Sequence, residues 1–453
     1  MKDQAEHIRE LVSAVREVVA QGVEDSDLEA MIAELHPADL AEIIDGLDDD
    51  DRVSFFLRVP TSLRAETLTE VDEDSLSELL DAVGAAGVRA LFEELERDDA
   101  ADILAELPPR AADEILEHIE PEESREIAAL MEYDEESAGG VMTTDFCSVL
   151  AHLTADEAIA SVRRQGRQMR DFFTVYVTDQ SGRLVGRLAL QDLILADGAD
   201  PVETIIERDV VRVLPVVDQE EVARLIAKYN LVSIPVVDES DRLLGRITVD
   251  DVIDIIEAEV TEDIFRLSGV AEQEESYATP MEIIRSRTPW LLVTLCTSGL
   301  GALVVAHFEG TIRQMAFIVV FMPVVAAMAG NSAVQATAVA VRRLALGSHT
   351  ARPLRTIARE LIAGLVIGFL IALIIGIVAG VWRSDVAIGA VIGGSMWVAI
   401  SLGVLWGAAF PILLDKIGLD PAVSSSVFLS TMTDIVSFLL ILGSASFFLT
   451  QLL

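Results

Sequence analysis

"LIAGLVIGFLIALIIGIVAGVW", Leu361–Trp382, runs for 22 residues without one charged side chain. A helix of that length is about 33 Å long, and a hydrocarbon layer is ~30 Å thick. Being apolar on every face, it offers no side to water and so is read as a membrane span. Four further stretches meet the same standard: Pro289–Phe308, Met315–Ala340, Val386–Leu414 and Val427–Leu452. The second part of the chain is therefore predicted to cross a bilayer five times.

The first part is of another kind. Residues 1–280 carry 68 Asp and Glu against 23 Lys and Arg, and the remainder 7 against 10, so nearly all of the −42 net charge precedes the spans. That acidity leaves no expectation of a nucleic-acid partner. It also fits adaptation to high salt, since only three Lys stand beside thirty Arg and surface carboxylates keep a fold solvated. The N-terminal "MKDQAEHIRELVSAVREVVAQG" is too polar for the apolar core of a cleavable signal, so none is expected. Arg285, Arg287, Arg342, Arg343, Arg352, Arg355, Arg359 and Lys416 fall on the side of the acidic part, against Arg313 and Arg383 on the other. The positive-inside rule then makes the acidic part cytoplasmic and, with five spans, puts the C-terminus outside.

Cys147 and Cys296 are the only cysteines, and six His are scattered, so neither a disulfide framework nor a soft-metal site is expected. Oxygen ligands remain, and these suit magnesium, calcium or manganese. No Ser–His–Asp set, Walker loop or HExxH pattern occurs, and no catalytic step is expected.

Residues 1–136 read as short helices in series, among them "HPADLAEIIDGL", "DDAADILAEL" and "RAADEILEHI". Their apolar residues recur at three and four, with acids or Pro at the starts. Beyond them the chain repeats itself. "VYVTDQSGRLVGRLALQDLI" (Val175–Ile194) and "IPVVDESDRLLGRITVDDVI" (Ile234–Ile253) align without a gap at an offset of 59. Each reads as strand, turn, strand and a helix opening near Asp192 or Asp251. This resembles a tandem pair of cystathionine-β-synthase-type (CBS) domains. In nucleotide-binding members of that family a Ser or Thr three residues before the helix-opening Asp touches phosphate and the Asp holds ribose. Thr248 and Asp251 keep that pair, whereas Ala189 precedes Asp192, so the resemblance leaves ATP to one half-site.

The expected fold is multidomain: an all-α helical domain (1–136), an α/β tandem CBS pair (137–199 and 200–260), a connecting helix (261–287) and a five-span α-helical membrane domain (288–453). With "ESAGGVMTTDF" (Glu136–Phe146), "FMPVVAAMAGNSAVQATAVAVRR" (Phe321–Arg343) and "LDPAVSSSVFLSTMTDIVSFLL" (Leu419–Leu440), the whole chain resembles the MgtE family of magnesium channels. The resemblance implies a homodimer in the cell membrane with a central ion pathway, closed by its cytoplasmic domains when internal magnesium is high. It implies regulatory magnesium at Asp98, Asp102, Asp218, Glu220, Asp251, Asp254, Glu259, Glu262 and Asp263. Asn230 stands where an Asp is often seen, Ser426 where an Asn is, and Gly330 and Asn331 are followed by Ala333, Val334 and Gln335 rather than the usual glycine and Asn–Gln pair.

Asp434 is the deep carboxylate of the spans, sharing a face with Ser430, Thr431 and Ser437. Placing an ionisable group at membrane depth costs at least ~2.5 kcal/mol, so it is read as facing an aqueous path. A protonated Asp in an interhelical hydrogen bond is the structural alternative. In a two-fold dimer two such carboxylates attract a divalent ion through its retained waters, as suits magnesium. Pro323 and the small residues after it are expected to open the second span, with Gly330 and Asn331 at the pore. The acidic run from Asp250 to Asp263 reads alone as a solvated helix face; the family makes it a ligand surface. The competing functions are a coupled carrier of divalent cations and a membrane-anchored magnesium or nucleotide sensor.

Overall fold

The computed structural model describes residues 11, 12, 15, 32, 35–166, 169, 173–268, 280–345, 353–417 and 425–452. The chain forms two compact units, Met1–Ile256 and Glu257–Leu453.

Among the described residues from 35 to 136, seven helices follow one another: α1 (Pro37–Asp45), α2 (Asp49–Phe56), α3 (Thr61–Thr69), α4 (Glu73–Phe92), α5 (Arg97–Glu106), α6 (Pro109–Leu116) and α7 (Pro121–Leu130). Proline in the first turn starts α1, α6 and α7, where the missing N–H would have had no helical partner. Gly84 breaks α4 with φ 71° and ψ 165°, a conformation closed to residues with a Cβ. Buried Leu40, Ile44, Phe55, Phe56, Leu79 and Phe92 fill the space between these helices.

The repeat follows as β1 (Ser148–Leu150), α8 (Ala155–Gln165), β2 (Thr174–Thr178), β3 (Leu184–Ala189), α9 (Leu190–Leu195), α10 (Val202–Ile205), α11 (Gln219–Tyr229), β4 (Ser233–Val237), β5 (Leu243–Thr248) and α12 (Val249–Ser268). β2–β3 pairs Thr174 with Ala189, and β4–β5 pairs Ser233 with Thr248. Both hairpins shift register at equivalent places, Val177/Thr178 and Val236/Val237. The 59-residue offset is thus a structural repeat down to its irregularity. The following helices open two residues before Asp192 and Asp251, which sit in their first turns.

The second repeat shares its core with the seven helices: Ile127, Leu130, Ala138, Met142, Ile234 and Ile247 belong to one continuous apolar cluster. The first repeat has its own, around Val149, Val175, Val177 and Leu188. Between them the chain after α7 is stitched to the second repeat, with Ala138 N–H donating to Val217 C=O at 2.6 Å and Gly139 N–H to Pro215 C=O at 2.9 Å.

The membrane unit holds α13 (Pro280–His307), α14 (Glu309–Gln314), a 3₁₀ turn (Ala316–Val320), α15 (Met322–Ala345), α16 (Pro353–Arg383), α17 (Val386–Lys416) and α18 (Ser425–Leu452). Among the described residues five stretches are long and apolar enough to span: Ile283–His307, Ala316–Leu344, Leu354–Arg383, Val386–Lys416 and Phe428–Leu449. The connecting segment expected over 261–287 is divided. Residues 261–268 finish α12, 280–287 begin α13, and 269–279 lie outside the described residues.

The helix α17 is the centre of this unit, packing against α15, α16 and α18. Its Gly403 and Gly407 let backbones meet, and Thr337 Oγ1 donates to Gly407 C=O at 3.1 Å. Ser395 and Ser444 join α17 to α18, Oγ to Oγ at 2.8 Å. Such small-residue contacts and polar links replace the hydrophobic drive that lipid removes. α16 keeps Val366, Leu370, Ile374, Ile377 and Val381 exposed, as a helix bathed in hydrocarbon would. One expectation changes: Pro323 falls in the first turn of α15, where it costs no interior hydrogen bond. The interruption in the second span comes before it, at the 3₁₀ turn.

Candidate functional site: a membrane carboxylate and an acidic junction

Asp434 lies in the middle of α18 and is partly buried. Around it Ser430 is exposed, Thr431 is buried, and Ser437 is wholly buried with no hydrogen-bond partner for its Oγ. Gly330 of α15 abuts this stretch: a Cβ there would stand 3.7 Å from Thr433 Oγ1. Thr433 itself is satisfied by the carbonyls of Leu429 and Ser430, both at 2.9 Å. The second and fifth spans therefore meet one residue from Asp434. Asn331 and Gln335, next along α15, are exposed on the single chain. Ala329 and Ala333 have another task, since their carbonyls pack against Gly403 and Gly407 of α17. Sequence reasoning missed Thr433, whose neighbour Asp434 drew the attention. The side chain of Ser426 lies outside the described residues.

The acidic residues of the first unit gather where α5 begins. Glu96 precedes the helix, and Asp98 and Asp99 occupy its first turn. Asp98 is only 7 % exposed, and its Oδ1 has no hydrogen-bond partner. Across from it, at the start of α12, Asp251 accepts from Thr248 Oγ1 at 2.5 Å and from Thr248 N–H at 3.0 Å. These groups feel one another. Burial, opposed by Arg246 and reinforced by Asp145, Asp251 and Asp250, pushes Glu96 up to about 7. Burial with Glu96, Asp251, Asp102 and Glu70 lifts Asp99 to about 7 as well. Asp102 rises to about 6 through withdrawal from water first, then Glu135 and Asp251. Asp98 is raised well above the ordinary range by burial, then by Asp99, Asp251 and Glu96. Asp251 is raised by burial despite its bonds to Thr248. Asp98, Asp102 and Asp251, predicted as ligands, thus come together. Glu96, Asp99 and Arg246 were missed, although Asp99 continues the acidic spacing of Asp98 and Asp102.

Several of the other predicted ligands are engaged locally. Asp218 caps α11 by accepting from Glu220 N–H at 2.8 Å, and Glu220 pairs with Arg224 at 3.6 Å. Asn230 ends that helix in the left-handed region, φ 50° and ψ 50°, a conformation Asn tolerates better than most residues. Asp254 is exposed one turn along α12, Glu259 is partly buried farther on, and Glu262 pairs with Arg266. The side chain of Asp263 lies outside the described residues. Asp192 is exposed in α9 behind an Ala189 that cannot cap it.

Among the described residues no three His, Cys, Asp or Glu side chains form a ready metal cage. The donor set is nevertheless all oxygen, with one buried carboxylate oxygen unpartnered. That suits a hard cation that keeps several waters and takes a few carboxylates.

Known proteins match along almost the whole chain. The family model described as a divalent cation transporter, MgtE, matches residues 322–444, the MgtE intracellular N domain residues 35–136, and the CBS domain residues 138–198 and 202–258. The magnesium transporter MgtE of Enterococcus faecalis is 36 % identical over 325 residues, 72 % of each chain. That of Thermus thermophilus is 34 % identical over 71 % of this chain and 72 % of its own. That of Bacillus subtilis is 29 % identical over 94 % and 95 %. A solved cytosolic domain of the Mg²⁺ channel MgtE in complex with ATP matches 54 % of this chain and 99 % of its own, at 35 % identity and TM-score 0.51. The soluble part of a magnesium transporter matches 56 % and 99 %, at 30 % identity and TM-score 0.50.

Proposed function

The chain belongs to the MgtE family of magnesium transporters, and on that premise we propose that it is a magnesium-selective channel of the cell membrane, gated closed by cytosolic magnesium. The observation that carries the reading is the pair of carboxylate settings, one at membrane depth beside the meeting of spans two and five, the other packed at the α5–α12 junction.

For permeation, Asp434 supplies the charge. In a homodimer with α18 at the axis, two such carboxylates raise the local concentration of a divalent ion and leave its waters in place, which magnesium requires. Gly330 admits the close approach of α15 to α18, and Asn331, Ser430 and Thr431 add polar atoms to the path.

For gating, Glu96, Asp98, Asp99, Asp102 and Asp251 repel one another when ionised. A divalent ion among them removes that repulsion and favours the joined arrangement, so magnesium shifts a population by binding one state more tightly. Asp218, Glu220, Asp254, Glu259, Glu262 and Asp263 would extend the surface. ATP at Thr248 and Asp251 is supported by the ATP complex of a relative's cytosolic domain, at one half-site. The acidic unit is cytoplasmic and the C-terminus outside on the count of basic residues.

Magnesium flux into proteoliposomes, with internal magnesium varied, tests the reading. Uptake that falls as internal magnesium rises supports it; uptake that depends on a sodium or proton gradient makes the protein a carrier, and none at all makes it a sensor.

A further inference from the structure

A groove of about 570 Å³ runs between α16 and α17, within the ~300–1,000 Å³ of ligand pockets. It exists because the two helices touch through glycine. A Cβ on Gly393 would stand 2.8 Å from the Ala372 carbonyl oxygen, and one on Gly376 3.0 Å from that of Gly389. Backbones this close leave no side chain between them, and a trough remains beside the contact. Leu373, Ile377 and Val381 of α16 line it with Val386 and Ala390 of α17, and all five are exposed in the chain.

The two ends of the groove are unlike. At mid-membrane Phe369 and Trp397 meet edge to face with ring centroids 5.8 Å apart, and Trp397 Nε1 donates to Leu365 C=O at 2.9 Å. A fixed aromatic pair therefore closes that end. At the other end lie Ser384 and Asp385, in the turn between the two helices. Phe369 and Val381 are about 18 Å apart along the helix axis, and one leaflet is about half of the ~30 Å hydrocarbon layer. The groove thus has the length of one leaflet, from a polar turn to the bilayer middle.

Charge at the open end is one-sided. Asp385 caps α17, accepting from Ala387 N–H at 2.8 Å, and the helix dipole offsets its charge there. Arg313, the other arginine on this side of the spans, pairs with Glu309 at 2.5 Å. Arg383 lies three residues from Gly380 and seven from Gly376, the spacing of one helical face. Its guanidinium is 4.8 Å from the centre of the Phe317 ring, and among the described residues no carboxylate pairs with it. An exposed guanidinium suits a phosphate, and an apolar trough as long as a leaflet suits a hydrocarbon chain.

We propose that α16 and α17 hold a phospholipid from the leaflet at their connecting turn, its chain in the groove and its phosphate on Arg383. That leaflet is the outer one on the count of basic residues, and the site itself does not depend on the count.

The test is native mass spectrometry of the full-length protein in detergent, delipidated and then titrated with dioleoyl phosphatidylcholine or with dioleoylglycerol, which has the same chains and no phosphate. Wild type should saturate with one phosphatidylcholine per chain and bind dioleoylglycerol roughly tenfold more weakly, the worth of one charge-assisted hydrogen bond. Arg383→Gln should lose the same factor for phosphatidylcholine and nothing for dioleoylglycerol, whereas Arg383→Lys should keep most of the affinity. Ala390→Phe fills the trough, leaves Arg383 in place and should weaken both lipids. Arg313→Gln and Val366→Phe change charge or apolar surface outside the groove and should bind as wild type does. Equal retention by every variant overturns the proposal, since the lipid is then an unselective annulus. Dioleoylglycerol bound as tightly as phosphatidylcholine overturns it too. If Ala390→Phe changes the number of chains per particle and leaves the lipid count alone, the groove is an interface between copies and the proposal fails. Should Ala390→Phe not fold, Ala390→Leu and the two Arg383 variants read the same contrasts.

Discussion

Gly407 of α17 lies so close to Ala333 of α15 that a Cβ at residue 407 would stand 2.2 Å from the Ala333 carbonyl oxygen. Neither partner can yield by rotating a side chain, because both surfaces are backbone. Gly407→Ala must push the helices apart by on the order of 1 Å, a strain of about 1–3 kcal/mol. Because α15 also carries Gly330 to its meeting with α18, flux should fall together with thermal stability in detergent. Gly394→Ala, where no atom lies within 4 Å, is the control and should leave both intact. Wild-type stability and flux in Gly407→Ala would show that the crossing is looser than its geometry.

The acidic junction should respond to protons. Glu96 and Asp99 titrate near 7 in the folded protein, against ordinary values of 4.5 and 3.8. The packed junction therefore holds protons that separated carboxylates release. Its stability is greatest below those ordinary values and is lost as pH rises through about 7. In EDTA, lowering pH from about 8 to about 5 should slow protease cleavage near α5, and Glu96→Gln with Asp99→Asn should flatten the dependence. Magnesium protection should be strongest above neutrality, where the carboxylates are ionised. Cleavage that is independent of pH in EDTA would defeat this account.

What could be read from sequence follows from how each feature is encoded. The spans and the repeat are patterns over many residues, so Leu361–Trp382 and the 59-residue offset announce themselves, and the paired register shifts at Val177 and Val236 confirm the repeat. Asp434 stands out in the sequence because a charge among apolar residues has no cheap explanation. Glu96 and Asp99 do not, because nearly every helix of this acidic half starts with carboxylates, and only their burial singles these out. Arg246 was hidden for the opposite reason. An arginine on an alternating strand reads as a solvent-facing residue, as Arg187 nearly is, and nothing local reveals that Arg246 is buried beneath the segment of Thr143 and Asp145. Asn230 looked like a missing charge until its left-handed backbone gave it a capping role.

Topology is open to a direct check. Eight basic residues flank the spans on one side and two on the other, a bias that orients membrane helices. A reporter fused after Leu453 should be outside the cytoplasm, and one inserted between α15 and α16 should be inside. Both on one side would remove the five-span arrangement.

The role of Asp434 separates two accounts of a polar group in a membrane. As the carboxylate that concentrates magnesium, it acts through its charge; as a protonated group in an interhelical hydrogen bond, it acts through its shape. Asp434→Asn keeps the shape and one carbonyl oxygen but carries no charge. The site tolerates such a side chain, since Asp434 is only partly buried and its neighbours Ser430 and Thr433 are polar, so the protein should still fold and reach the membrane. Magnesium current in planar bilayers should then fall by at least an order of magnitude, or selectivity over sodium should be lost, because an amide gives a divalent ion no Coulomb attraction. Asp434→Glu keeps the charge and should retain part of the current. Thr433→Ala removes a hydroxyl already satisfied within its own helix and should alter selectivity little. Unchanged permeation and selectivity in Asp434→Asn would assign the residue to helix packing and leave the pore without its charge.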